Sequence, residues 1–247
     1  MEIIKIIFIN SLFKKIGMKV EILEFVEGAQ KARGVAVIID VFRAFSVSCY
    51  AFDAGAVKII STAGVNDAFL LKKKYRNSVL VGERDEKIID GFDFGNSPTE
   101  IIKSDLHGKT VIHTTTAGTQ GLVNAKNADI VITGSFVNAG AVVNYLKAIN
   151  PEFVTLVAMG YRATISAQED LLCAELICSS LNNKSYSFEE KISELKSTSG
   201  RRFFNPENIE FSPPTDFFLC TMVNKFDFIL KAETRFDGNI DLMKIDI

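Results

Sequence analysis

Six short runs of almost continuous β-branched and aliphatic residues punctuate the chain: VAVIIDV (35–41), VKIIS (57–61), SVLVG (78–82), TVIHT (110–114), DIVITG (129–134) and FVTLVAM (153–159). They are apolar throughout rather than alternating, so each predicts a strand covered on both faces. Stretches with helical periodicity fall between them, at 44–54, 65–76, 98–104, 118–127, 138–149 and 167–182. Strands alternating with helices predict an α/β fold whose central sheet is largely parallel, with room for a mixed sheet, and has right-handed crossovers.

Local signals mark several helix starts. Ser97-Pro98-Thr99-Glu100 has the spacing of a capping box with proline at the first helical position, and Ser166-Ala167-Gln168-Glu169 has the same spacing. Asn138 is placed to cap 139–149, and Thr215, after Pro213-Pro214, to cap a last helix. The stretch 182–208 is polar, with a modest helical pattern at 188–196, and reads as an excursion or lid. Residues 1–17 precede a second methionine, Met18, which opens the strand-like MKVEILEF; they read as an extension outside the main fold. No Gly/Ser linker or internal repeat divides the remainder, so 18–247 is expected to be one domain.

Composition narrows the function. The 28 Lys and Arg against 30 Asp and Glu leave a formal net charge of −2, which argues against a nucleic-acid binder. No apolar run reaches the roughly 18 residues of a membrane span. The four cysteines (Cys49, Cys173, Cys178, Cys220) include no CxxC pair and suit a reducing, cytoplasmic setting. With only two histidines, His107 and His113, a multi-histidine zinc centre is excluded. A bound metal therefore calls for oxygen ligands and points to Mg²⁺.

In a parallel sheet, ligands bind beyond the carboxyl ends of the strands. There the chain carries Asp40-Val41-Phe42-Arg43, Gly82-Glu83-Arg84-Asp85, Thr114-Thr115-Thr116-Ala117-Gly118-Thr119, Gly134-Ser135-Phe136-Val137-Asn138, and Gly160 followed by Glu169-Asp170. Polar groups on an apolar sheet cost burial energy unless paired or used. Asp40, Glu83 and Asp170 are suited to hold a hard divalent cation, Arg43 and Arg84 to grip a tetrahedral anion, and the Thr114–Thr119 turn to cradle one. That combination fits phosphoryl transfer. Each feature also has a plain structural explanation. Asp40 and Arg43 can pair with each other, Glu83-Arg84-Asp85-Glu86-Lys87 can be a solvated turn, and Glu169 can be the helix-start partner of Ser166. His113 reads as a core residue; Arg201-Arg202 can close over an anionic substrate or be solvated charge, and reads first as the latter.

DVFRAFSV (40–47), GERDEKIIDGFDFGNSPTE (82–100), TTTAGTQG (114–121), GSFVNA (134–139) and EDLLCAELI (169–177), in this order, resemble the 2-phosphosulfolactate phosphatase family over roughly residues 20–230. The resemblance implies a three-layer α/β/α fold, a homodimer, and a Mg²⁺-dependent phosphatase. Its substrate would be (R)-2-phospho-3-sulfolactate, a small anion of early coenzyme M biosynthesis, yielding 3-sulfolactate and phosphate. Two alternatives stay open: another phosphorylated hydroxy acid as substrate, or a non-catalytic module binding a phosphometabolite. On the resemblance, Asp40, Glu83 and Asp170 are the expected metal ligands, with Glu169 in reserve. Arg43 and the turn Thr114, Thr115, Thr116, Gly118, Thr119 are assigned to the phosphate; Ser135, Asn138 and Arg84 to the carboxylate and sulfonate. Asp40, Arg43, Glu83 and Asp170 form the expected catalytic set. Attack by water and an aspartyl-phosphate on Asp40 are both compatible with it.

Overall fold

The computed structural model describes residues 17–184 and 187–247, so the expectation for 1–17 lies almost wholly outside the described residues. Among the described residues ten strands form one sheet: β1 (Lys19–Glu24), β2 (Val35–Ile39), β3 (Lys58–Ser61), β4 (Ser78–Arg84), β5 (Lys87–Ile88), β6 (Thr110–Thr114), β7 (Ile130–Gly134), β8 (Phe153–Ala158), β9 (Phe228–Thr234) and β10 (Ile240–Asp246). The helices are α1 (Phe25–Lys31), α2 (Ala44–Asp53), α3 (Val65–Lys74), α4 (Pro98–Ile101), α5 (Gly118–Asn124), α6 (Ala139–Ile149), α7 (Gln168–Leu181), α8 (Glu189–Leu195) and α9 (Pro214–Cys220). None is long and apolar enough to cross a membrane among the described residues.

The apolar runs become strands buried on both faces. On β2, Ala36 and Ile38 pack with Ala29 of α1, Phe45 of α2 and Leu122 of α5. Val35, Val37 and Ile39 point the other way, against Val142 of α6, Cys173 of α7 and Phe217 of α9. The alternation is the period of two inherent to a strand, with an apolar layer on each side. In the far part of the sheet Ile60, Leu80 and Ile112 pack under α3, and Ile59, Val81 and Val111 face the α2 side. The result is the expected layered α/β arrangement around a mixed, mostly parallel sheet.

The strand order is β1-β8-β2-β7-β9-β10-β3-β6-β4-β5. β1, β8, β2 and β7 are mutually parallel, as are β3, β6 and β4. Between these blocks the pairs β7–β9, β9–β10 and β10–β3 are all antiparallel. Each antiparallel step reverses direction, so the two parallel blocks run in opposite senses. The sheet is thus largely parallel and mixed, as the sequence reading allows, with the antiparallel steps supplied by the β9–β10 hairpin, whose strands combine apolar residues with charged ones.

Helix α2 links the blocks. Every residue from Ala44 to Phe52 is buried. The Ser46 hydroxyl lies 2.6 Å from that of Ser135 at the end of β7, and the Ser48 hydroxyl 3.3 Å from Nδ1 of His113 on β6. The carboxyl ends of β2, β4, β6 and β8 consequently contribute to one cleft.

Candidate active site

The cleft opens to solvent and is lined by side chains that include Asp40, Arg43, Glu83, Asn96, Thr116 and Arg202. Asp40 enters it directly from β2. Its Oδ1 accepts the Ala44 N–H at 3.1 Å, at the start of α2. No hydrogen bond reaches Oδ2 from any described residue. A Cβ built on Gly118 would lie 2.9 Å from Oδ2 and 2.8 Å from Ala44 Cβ, so only glycine lets the β6–α5 turn come this close. Burial pushes the Asp40 carboxyl up to about 6; the Ala44 amide opposes this, Glu83 and Glu169 add to it, and Arg202 offsets it.

The other acids differ in how they are spent. Glu83 accepts the Thr116 N–H at 2.8 Å and the Glu86 N–H at 2.9 Å, bracing the turns on either side. Asp170 accepts the Val41 N–H on one oxygen and the Gly160 N–H on the other, each at 2.8 Å. Glu169, its neighbour, is equally buried, yet its Oε2 has no hydrogen-bond partner. Burial raises the Glu169 carboxyl above its ordinary range, with Arg202 pulling the other way. Burial also raises Asp170, helped by the charges of Glu169 and Asp40. Asp170 thus ties the ends of β2 and β8 together, and Glu169 carries the free oxygen. Glu169 is not the partner of Ser166, because α7 begins at Gln168 behind Ala167 with no side-chain cap.

The arginines are redistributed too. Arg43 lines the cleft, but its guanidinium is held by a fully buried ion pair with Asp216 at 2.6 Å and by the Phe211 carbonyl at 2.7 Å. The alternative pairing of Arg43 with Asp40 does not occur. Arg84 turns away to the Glu83 and Ala63 carbonyls and the Thr114 hydroxyl, and does not line the cleft. Two arginines outside the expected set take its place. Arg202 donates to Glu86 Oε1 at 2.7 Å and to the Phe42 carbonyl at 2.9 Å, and Arg162 pairs with Asp85. Arg202 is therefore cleft-lining charge and not the solvated charge expected of Arg201-Arg202. Arg162 carried a readable signal, since it follows Gly160 at the end of β8; Arg202 sits in the polar excursion, where a charge facing an anionic substrate and a solvated charge read alike.

The threonine turn is largely closed on itself. Thr115 Oγ1 accepts the Thr119 N–H at 3.3 Å, and the Thr119 hydroxyl donates to the Thr115 carbonyl at 2.7 Å. Thr115 and Thr116 line the cleft, and Thr116 Oγ1 is buried without a partner. Ser135 and Asn138, expected at the substrate, instead form a capping box with each other at the end of β7 and do not line the cleft. The Ser97 box is also replaced: the Ser97 hydroxyl donates to Asp216, and Glu100 accepts from Gly95 N–H. Asn96, beside that helix start, does line the cleft.

Among the described residues no three His, Cys, Asp or Glu side chains stand together as a ready-made metal cage. One lining carboxylate, Asp40, accepts a bond only at Oδ1; Glu169, whose buried Oε2 has no partner, is not among the lining residues but lies close enough for its charge to raise Asp40. A cation with a protein-made shell, such as structural zinc, does not fit. Mg²⁺ does, because it takes one or two carboxylates and completes its shell with water and phosphate oxygen.

The profile of the 2-phosphosulpholactate phosphatase family matches residues 21–210. A protein of Clostridium perfringens (strain SM101), named probable 2-phosphosulfolactate phosphatase, is 35% identical over 201 residues, covering 78% of this chain and 79% of that protein. A Bacillus subtilis (strain 168) protein of the same name is 31% identical over 210 residues, covering 83% and 89%. One from Carboxydothermus hydrogenoformans is 42% identical over 140 residues, covering 56% of this chain and only 58% of that protein. The family match spans every strand-end turn that lines the cleft and the excursion that supplies Arg202. The chain belongs to the 2-phosphosulpholactate phosphatase family, a family of phosphoric monoester hydrolases.

Proposed function

We propose that the chain hydrolyses (R)-2-phospho-3-sulfolactate to 3-sulfolactate and phosphate, with Mg²⁺ held by Asp40 and Glu169 and with Glu83 beside them. The observation that carries this reading is the uncompensated acidity of the cleft. Asp40 and Glu169 are buried, and burial raises both carboxyls above their ordinary range, the charge of Glu169 adding to the rise at Asp40; each leaves an oxygen without a donor. A purely anion-binding site gains nothing from such groups unless a cation neutralises them. Bound there, Mg²⁺ would supply charge neutralisation next to the phosphoryl group.

The chain's own groups supply the rest. Arg202 and Arg162 reach the cleft from outside the sheet and exchange Glu86 and Asp85 for the acid groups of the substrate. Arg43, fixed by Asp216, presents a preorganised positive charge. Glu83 keeps the Thr116 segment in place through its amide, leaving the Thr116 hydroxyl for a phosphate oxygen. Water adds to phosphorus, the ester P–O bond breaks, and the secondary alkoxide leaves with a proton.

The test is phosphate release from synthetic phosphosulfolactate by the purified protein, before and after exhaustive chelation and on readdition of Mg²⁺. Release that survives chelation would remove the metal from the reading. Turnover of other phosphorylated hydroxy acids in preference to phosphosulfolactate would replace the substrate.

A further inference from the structure

A buried polar chain runs from the core to the cleft and belongs to none of the roles above. His113 is 1% exposed on β6, with Nε2 3.1 Å from Asn96 Oδ1 and Nδ1 3.3 Å from Ser48 Oγ. Asn96 follows Gly95, whose N–H is bound by Glu100, and precedes Ser97, whose hydroxyl is bound by Asp216. Its backbone is therefore held on both sides. The residue is 5% exposed and lines the cleft, and among the described residues its amide nitrogen makes no hydrogen bond.

The chain has two self-consistent proton arrangements. If the Ser48 hydroxyl donates to His113 Nδ1, then Nε2 carries the ring proton, Asn96 Oδ1 accepts it, and the Asn96 NH₂ faces the cleft. If Ser48 donates instead to the Ala44 carbonyl, 2.9 Å away, the ring proton moves to Nδ1 and Asn96 must turn its oxygen outwards. Burial pushes His113 down to about 4, so near neutrality the ring holds one proton and the two arrangements exclude each other. An anionic guest beside Arg43 and Arg202 favours a donor over a carbonyl oxygen.

We propose that Asn96 is a substrate-binding residue whose NH₂ donates to an anionic oxygen of the substrate, and that His113 and Ser48 are positioning residues that hold that amide in its donating orientation. The inference rests on the phosphatase reading above. The experiment is steady-state kinetics of full-length wild-type, N96A, N96D, H113Q, H113F and S48A on phosphosulfolactate, with thermal melts of each. Loss of a hydrogen bond to a charged group costs about 10- to 100-fold, and for N96A and N96D it should fall mainly on KM. H113Q, which can still donate an N–H, should recover much of the KM that H113F loses, and S48A should fall between wild type and H113F. Wild-type KM in N96A and N96D would overturn the contact. Equal KM in H113Q and H113F would overturn the positioning role, and if H113F does not fold, a wild-type KM in S48A would do so. An inactive wild-type enzyme would instead reject the phosphatase reading.

Discussion

β2 and β7 lie side by side in register, with Ile39 opposite Gly134, and each runs straight into a buried polar turn. The β7 turn carries no charge and largely closes on itself: Ser135 N–H donates to Asn138 Oδ1 at 3.0 Å and the Ser135 hydroxyl meets Ser46, with only the neutral Asn138 Nδ2 left buried without a partner. The β2 turn stays open. Asp40 keeps one oxygen without a donor, Phe42 offers its carbonyl to Arg202, and Val41 N–H is held by Asp170. Similar residue types at equivalent positions thus do opposite work. A polar turn that satisfies itself stabilises the fold, whereas one that leaves charge uncompensated costs stability and is retained for chemistry. Five substitutions, one of them a control, test that contrast.

The largest effect belongs to Asp40. Asp40→Asn should lower kcat by about 10²–10³-fold, the scale of losing one electrostatic contact to the reacting group. The metal-free variant should nevertheless be more stable than wild type. Asp40 titrates at about 6 in the folded chain against an ordinary 3.8, so the native state holds its proton more tightly. Its contribution is favourable below about pH 4 and is lost as pH rises through 6. Urea midpoints should therefore favour Asp40→Asn at pH 8, by roughly 1–3 kcal/mol, and converge at pH 4. A variant less stable at both pH values would show that Asp40 is scaffolding, like the β7 turn.

Asp170→Ala should do the reverse. It strands the Val41 and Gly160 amides, and the unfolding free energy should fall by about 2–4 kcal/mol. Unchanged stability with abolished turnover would return Asp170 to the role of primary metal ligand.

How far this was legible from sequence follows the same divide. Continuous apolar runs identified β2, β3, β4, β6, β7 and β8 because strands covered on both faces cannot afford polar residues. β9 starts apolar but ends polar and exposed, and β10 is broken by charged residues, so neither read as a doubly covered strand and the reversal of direction between the blocks was hidden. Strand-end logic found Asp40 and Glu83. It could not separate Glu169 from Asp170, since that depends on which amides lie opposite, Val41 and Gly160, 129 and 10 residues away in sequence. Ser135 and Asn138 looked like Thr115 and Thr116 for the same reason: a hydroxyl after a strand does not reveal whether its partner is backbone or ligand. Arg202 was misjudged because its neighbours in sequence are polar, while its neighbours in space are Glu86 and Phe42.

Arg202 provides a middle-sized test, with Arg84 as its control. Arg202→Ala removes the cation whose charge reaches both Asp40 and Glu169, and should raise KM about 10- to 100-fold, the worth of a hydrogen bond to a charged group. Arg84→Ala only releases the Glu83 and Ala63 carbonyls and the Thr114 hydroxyl, so KM should stay within about threefold, the ordinary spread for a surface-type change. Comparable KM losses in both would mean that the cleft extends across β4 to the side where Arg84 lies.

The smallest effect should come from the β7 turn itself. Ser135→Ala deletes one side of the capping box and the contact with Ser46, and should cost about 0.5–2 kcal/mol, the usual range for a lost cap. The Ser135 hydroxyl is fully buried and faces α2, so kcat and KM on phosphosulfolactate should match wild type at temperatures well below the melt. Catalytic loss in Ser135→Ala without loss of stability would mean that a self-satisfied turn can still reach the substrate through Ser46 and α2. The contrast between the β2 and β7 turns would then no longer separate scaffold from chemistry.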